Sequence, residues 1–250
     1  MIDTHAHLYL PEFENDFSDI VQRASAVGIT EIWLPAIDAA SLQEMEQLRT
    51  KGPFRLFAGL HPCEVKENYL DELSSLREQL NKHRYDGIGE IGLDLYWNKT
   101  FFEHQCQALT TQFEWALEFD LPVALHVRNA FDEILPIIRP YFSRGLSGIF
   151  HSFSGTLEQA KEVVEAGFLL GINGVVTFKK SHLPELLAQI PLTAIVLETD
   201  APYLTPAPHR GKRNESSYVP FIASKLSEIY HCSLQEIDEV TTRNALSLFR

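Results

Sequence analysis

Apolar strand-like runs alternate with helix-period runs along this 250-residue chain, and that alternation restricts the fold more than any other feature. The strand-like runs are residues 2–7, 29–37, 54–60, 87–93, 122–127, 148–153, 168–176 and 194–199. Helical spacing fills the intervals. Phe13, Phe17, Ile20, Val21 and Ala24 share a face before Gly28, and Ser41-x-x-Glu44 reads as a capping box ahead of Leu42, Met45 and Leu48. Leu70, Leu73, Leu76 and Leu80 follow, then Phe102, Cys106, Leu109, Phe113 and Ala116, the strongest amphipathic pattern. Ile134, Leu135 and Ile138 mark the next helix, Thr156-x-x-Gln159 opens one that ends at Gly167, and a short helix covers about 183–190. Parallel strands need crossovers, and helices supply them. Eight such units in about 250 residues match the count and size of a (β/α)8 TIM barrel. The predicted fold is therefore an α/β barrel, one domain over residues 1–250, with carboxy-terminal helices, one opened by Ser233-x-x-Glu236. An open doubly wound sheet is the other arrangement the alternation allows.

Composition excludes some functions. Hydrophobic residues at 45% and charged residues at 22% suit a folded soluble protein, and the formal net charge of −13 argues against a protein that coats nucleic acid with a basic surface. Cys63, Cys106 and Cys232 are far apart and form no Cys-x-x-Cys, which suits a reducing compartment and offers no zinc knuckle. With no basic stretch leading into an apolar run at the amino terminus and no membrane-length apolar segment, a cytoplasmic location is expected, with no membrane and no obligatory protein partner.

The polar residues at the strand ends carry the functional information. In a (β/α)8 barrel, reacting groups sit at the carboxy-terminal ends of several strands. Read in order, these ends offer His5 and His7, then His61, Glu90, His126, His151, Asn173 and Asp200; only the second strand, with Pro35 before Asp38, breaks the series. His5 and His7 alternate onto one face, roughly 6–7 Å apart at the backbone. Each residue alone has a bland reading. His126 and His151 lie in apolar runs where a hydrogen-bonded core histidine is ordinary, Asp200 before Ala201-Pro202 could be a turn residue, and Glu90 needs a cation or several donors if buried. A closed barrel gathers them all, and jointly they point to metal. His5, His7, Glu90, His126, His151 and Asp200 are too many for one four-coordinate ion and fit two divalent ions sharing a carboxylate, with zinc, manganese or magnesium all suited to the donors.

His5-Ala-His7, Gly59-Leu-His61-Pro62, Gly89-Glu90-Ile-Gly-Leu-Asp94, Leu125-His126-Val-Arg128, His151-Ser-Phe-Ser-Gly155 and Glu198-Thr-Asp200-Ala-Pro202 follow one another in an order and spacing that resembles the TatD family of metal-dependent deoxyribonucleases. Arg210-Gly-Lys-Arg-Asn-Glu215 looks like that family's late basic motif. The resemblance implies an amidohydrolase-like barrel in which His5, His7, Glu90 and Asp200 hold one ion and Glu90 bridges to a second on His126 and His151. Ser152 stands where many members carry Cys, and Ser216 where Pro often follows Asn-Glu.

The expected reaction is hydrolysis of phosphodiesters by an activated water between two ions. Asp200 is the candidate to orient or deprotonate that water, and Glu90 to fix the ion spacing. Asp3 and Glu198, each two residues before a ligand, and Asp94 are expected to orient ligands. Arg128 is placed to hold a phosphate, with an ion pair to Asp132 or Glu133 as the alternative. His61, Lys212 and Arg213 are further candidate substrate contacts, and Lys179, Lys180 and Arg210 could steer phosphates. Phe153 and Phe178 could stack a base or simply pack. A small basic patch on an acidic chain suits a short grip on a single-stranded or frayed end, hence exonuclease-like action; that the strand is DNA is implied by the resemblance. Two other classes remain open: an amidohydrolase or esterase, including one that removes aminoacyl groups from tRNA, and a metal-stabilised binding protein without turnover.

Overall fold

The computed structural model describes residues 1–97 and 99–249. Eight parallel strands run in sequence order around one sheet: β1 Ile2–Asp3, β2 Glu31–Pro35, β3 Phe54–Ala58, β4 Gly87–Asp94, β5 Val123–Arg128, β6 Gly148–Phe150, β7 Leu169–Ile172 and β8 Ile195–Leu197. A helix follows each of the first seven: α1 Phe17–Ala26, α2 Ala39–Leu48, α3 Tyr69–Lys82, α4 Phe102–Phe119, α5 Phe131–Phe142, α6 Leu157–Glu165 and α7 Leu183–Leu187. After β8 come α8 Val219–Tyr230 and α9 Leu234–Leu246. The open-sheet alternative falls on the join between first and last strands. The Thr4 amide donates to the Leu197 carbonyl at 2.9 Å, the Asp200 amide to the His5 carbonyl at 2.9 Å, and Ala6 bridges Ala201 in parallel. The sheet thus returns on itself as a nearly closed barrel.

Two apolar layers hold it. The larger lies between strands and helices, where Ile20, Leu42, Leu76, Phe113, Ile138 and Ile222 are buried against the sheet. The smaller plugs the barrel's amino-terminal end with Ile2, Trp33, Phe57, Ala124, Ile149, Leu169 and Val196. Trp33 stacks on Phe57 with centroids 5.5 Å apart, and Phe249, beyond α9, meets Trp33 edge-on at 5.1 Å. With that end filled by side chains, the opposite end remains for chemistry.

Local expectations fail in instructive places. Helix α2 starts at Ala39, capped by Asp38, whose carboxylate accepts the Ser41 amide at 2.7 Å while Ser41 Oγ accepts the Asp38 amide. Ser41 is therefore the third helical residue of the box and not its first. Leu70 faces solvent, and Tyr69 takes the inner position beside Leu73 and Leu76. Helix α4 is less cleanly segregated than expected because Gln105 and Gln112 lie on its buried face. Both cap strand ends, Gln105 Oε1 accepting the Asp94 amide at 3.0 Å and Gln112 Oε1 the Leu60 amide at 2.7 Å. The Thr156–Gln159 box forms as read, and Ser233 caps α9 by accepting the Glu236 amide.

Candidate metal centre

Past the end of β1 the chain stays extended because Ala6 pairs on both sides, donating to the Trp33 carbonyl at 3.0 Å and bridging Ala201. That pins His5 and His7 on one face, their Nε2 atoms 3.2 Å apart. The Tyr9 hydroxyl donates to the Pro35 carbonyl at 2.9 Å and lies 2.8 Å from His7 Nδ1. Having spent its one hydrogen, the hydroxyl must accept from Nδ1–H, which leaves the His7 Nε2 lone pair facing the cluster.

Glu90 reaches the barrel axis through a bulge. The β4–β5 register pairs Ile88 with Val123 but Ile91 with Leu125, so Gly89 and Glu90 are displaced. The displaced pair passes over β3 and bonds to the end of β2, with Ala36 accepting from the Glu90 amide at 2.9 Å and donating to the Gly89 carbonyl at 3.1 Å. Only a residue without a side chain allows this beneath it: a Cβ on Gly59 would lie 2.7 Å from the Gly89 carbonyl carbon.

Glu90 then faces the histidines with one oxygen to each side. Oε2 lies 3.1 Å from His5 Nε2 and 3.6 Å from His7 Nε2, while Oε1 lies 2.8 Å from His126 Nδ1, 3.4 Å from His61 Nε2 and 3.9 Å from His151 Nε2. Asp200 Oδ1 sits opposite, 3.6 Å from His7, 3.7 Å from His151 and 3.9 Å from His5. Donor atoms of His5, His7 and Asp200, and separately of His61, Glu90 and His126, lie within 4.8 Å of one another. All six residues expected to hold metal converge.

His61 joins the second group, but its bonding assigns another part. Its Nδ1 accepts the Cys63 amide at 3.1 Å, and burial pushes its pKa down, so the ring is neutral with its hydrogen on Nε2. That atom faces Glu90 as a donor and has no lone pair for an ion. His151 is oriented in the opposite sense: Nδ1 lies 3.1 Å from Glu198, and Nε2 is turned toward Glu90 and Asp200.

The charges fit a cation. Burial, with His151 alongside, pushes His5 down to about 4, leaving it neutral and able to coordinate. Burial opposes ionisation of Glu90 and Asp200, but the imidazoles around them outweigh it and hold both below the usual carboxylate range. Asp94 is held at about 2 against burial by its contact with His126. Protons provide the balance in return: His126 rises to about 9 and His151 to about 10, burial being overcome by Asp94 and Glu90 for the first and by Glu198 and Asp200 for the second. A buried set of carboxylates that must borrow protons from its own histidines is a donor set that divalent ions would satisfy directly.

The supporting residues are placed as follows. Asp94 Oδ2 lies 2.9 Å from His126 Nε2, and its Oδ1 accepts the Tyr96 amide at 2.9 Å. Glu198 contacts His151 and accepts the Ser152 amide at 2.7 Å. Each of these carboxylates thus lies against an imidazole. Asp3 is different, since it touches neither ring: it accepts from the Thr199 hydroxyl at 2.7 Å and the Thr199 amide at 2.9 Å, fixing the residue before Asp200. Asn214 completes that support from the late motif, donating to the carbonyls of Thr199 at 2.8 Å and Tyr203 at 2.6 Å. Asp200 is held with φ of 59°, a left-handed conformation that side chains adopt only when their surroundings enforce it.

A cavity of about 600–700 Å³ (660 Å³) opens over the centre, lined by His7, His61, Glu90, His126, His151 and Asp200 inside and by Trp97, Arg128 and Tyr203 at the rim. Arg128 pairs with neither Asp132 nor Glu133; its guanidinium lies 4.0 Å over the Tyr96 ring and 5.3 Å over Trp97. Exposed Tyr96, Trp97 and Tyr203 were missed in the sequence reading, where Phe153 and Phe178 stood as stacking candidates. Phe153 is buried against Phe131, and Phe178 is covered by Arg210. Arg213 is also corrected: both guanidinium nitrogens bond to Asp16, at 2.8 and 2.7 Å, and the ring of Phe13 lies beneath. It clamps the late loop to the start of α1 and does not line the cavity; exposed Lys212 does not line it either.

Fold and centre together define a barrel with a histidine–carboxylate cluster of the kind that can hold metal. The chain belongs to the TatD family: the family model described as TatD related DNase matches residues 2–250. A Bacillus subtilis relative described as an uncharacterized metal-dependent hydrolase, YabD, is 33% identical, covering 100% of this chain and 99% of its own. The 3'-5' ssDNA/RNA exonuclease TatD of Erwinia billingiae is 31% identical, covering 100% and 99%. The crystal structure of YjjV, a TatD homolog from Escherichia coli, superposes with a TM-score of 0.93 at 30% identity, covering 100% of this chain and 97% of that one. This protein is thus similar to metal-dependent hydrolases, and among the described residues no helix is long and apolar enough to cross a membrane.

Proposed function

We propose that this metal-dependent hydrolase cleaves phosphodiester bonds at the end of a single-stranded nucleic acid, using two divalent ions held by His5, His7, Glu90, His126, His151 and Asp200. The observation that carries the reading is Glu90 presenting one oxygen to His5 and His7 and the other to His126, within a cavity whose rim bears Arg128. Ions bound there would lower the pKa of water and neutralise charge on the phosphate.

The chain's own groups do the rest. Glu90 spans the two sets of donors and so sets their separation. Asp200, ionised and turned into the cavity, accepts the proton from the attacking water. Arg128, kept in place by Tyr96, offers two N–H groups to a phosphate oxygen pair. His61 Nε2–H, beside Glu90, is a donor for the departing oxygen. Trp97 and Tyr203 are exposed at the rim and provide faces on which bases stack. The exonuclease names of relatives support action from an end and, in those proteins, a 3'-5' direction. Arg128 at the rim, with the positive charge that bound ions would add beneath it, supports a polyanion over amide, ester and lactone substrates.

The test is release of mononucleotides from end-labelled single strands by metal-loaded protein, compared with Glu90→Ala and Asp200→Asn. Stepwise shortening by the wild type, absent from both variants while strand binding persists in Asp200→Asn, is expected. Wild type that hydrolyses no strand with any of zinc, manganese or magnesium overturns the reading.

A further inference from the structure

The chain carries 34 Asp and Glu against 21 Lys and Arg, yet residues 174–180 and 201–213 contain no carboxylate. These two loops form one ledge beside the cavity. The Thr177 hydroxyl oxygen accepts the Ala207 amide at 2.9 Å, and the Arg210 guanidinium lies 4.0 Å over the Phe178 ring. At its inner end, Val175, Tyr203 and Leu204 line the cavity. At its outer end, Lys179, Lys180, Arg210 and Lys212 are exposed, and among the described residues none of the four is in an ion pair.

Arg23, Arg55, Arg139 and Arg144, by contrast, are each matched to a carboxylate. So is the adjacent Arg213, which Asp16 holds. Clustered cations without local anions repel one another, and a polyanion relieves that repulsion. Aromatic rings are interleaved with the charges. His209 stacks on Tyr218 with centroids 4.4 Å apart and planes 7° apart, and exposed Phe221 meets His209 edge-on at 4.9 Å. Cations set beside partly exposed rings are what a flexible single strand uses, phosphates on the cations and bases on the rings.

Resting on the reading that a nucleic-acid end enters the cavity, we propose that this ledge is the track for the trailing strand. Lys179, Lys180, Arg210 and Lys212 hold its phosphates, and Tyr203 and the His209–Tyr218–Phe221 stack receive its bases. The track makes long strands bind better than short ones without touching the reacting phosphate. It binds without regard to base sequence, since every base offers a face.

The experiment measures binding of a phosphorothioate DNA single strand of about twelve nucleotides to metal-loaded wild type and to a Lys180→Gln/Arg210→Gln/Lys212→Gln variant across a salt series. Each phosphate contact on a single strand contributes about 0.7 to the slope of log K against log salt, so the variant's slope falls by about 2. Affinity for a dinucleotide, too short to reach the ledge, stays unchanged. A wild-type slope in a folded variant overturns the track, as does failure of the wild type to bind the strand at all. Wild type that binds with the full slope but releases nothing from an unmodified strand overturns the nuclease reading and leaves the track standing.

Discussion

The Tyr9 hydroxyl stands between His7 Nδ1, at 2.8 Å, and the Pro35 carbonyl, at 2.9 Å, and so fixes which nitrogen of His7 is free. Tyr9→Phe removes that control and leaves a buried carbonyl short of a donor. The expected result is a loss of metal affinity of about 10–100-fold, the usual cost of deleting a partner behind a ligand, with the fold retained. Metal titration of the chelator-stripped variant measures it. Unchanged affinity would mean His7 needs no help in choosing its tautomer.

His61 distinguishes a donor from a ligand. With its lone pair directed at the Cys63 amide, His61→Ala is expected to keep the full complement of ions while turnover falls by about 10² or more. Elemental analysis alongside steady-state rates separates the two effects. Loss of an ion would reassign His61 to the coordination shell.

Arg213 and Asp16 give a prediction about acid stability. Arg213 and Arg23 hold the Asp16 carboxyl at about 2, below its unfolded value of about 3.9. A depressed carboxylate contributes stability that is present above the unfolded pKa and is lost as pH falls through the folded one. Asp16→Asn should therefore unfold with less pH dependence between about 4 and 2. The contribution is about 1 kcal/mol, because the pair is partly exposed and screened. Denaturation curves at several pH values check it. Arg213→Ala should lower stability by a similar amount and leave the KM for short strands unchanged, contrary to a substrate contact.

Gly171 leaves room for the carboxylate behind His151. A Cβ there would fall 2.1 Å from Glu198 Oε2, so Gly171→Ala should displace Glu198, release the His151 ring and weaken metal binding by about tenfold or more. The expected loss of stability is about 1–3 kcal/mol, typical of overpacking. A metal titration paired with thermal melting tests both, and wild-type affinity would show that Glu198 can move without consequence.

Much of this was legible in the sequence because it depends on short-range pattern. Each of the eight strands falls on a run read from apolar residues, β4 and β5 passing its end by one residue, and closure into a barrel then carries His5, His126, His151 and Asp200 to one place. The first strand was read too long: β1 ends at Asp3, and His5 and His7 belong to an extended segment held by Ala6. What escaped depends on pairings between distant residues. Nothing near Arg213 in the chain announces Asp16, and nothing near Asn214 announces that it would hold the carbonyls around Asp200. The late basic motif therefore read as substrate-binding, although Arg213 and Asn214 in it secure the loop. Tyr9 and Gln112 were passed over because they look like ordinary members of amphipathic stretches, and only the fold shows which backbone group each one meets.

The measurement that bears most directly on the central claim is the number of ions per chain, by elemental analysis and anomalous scattering, for wild type and Glu90→Ala. Two ions in the wild type, one beside His5 and His7 and one beside His126, falling to one or none with loss of hydrolysis in the variant, is the expected result. A single ion in the wild type, or two that persist without Glu90, would contradict a centre built around that carboxylate.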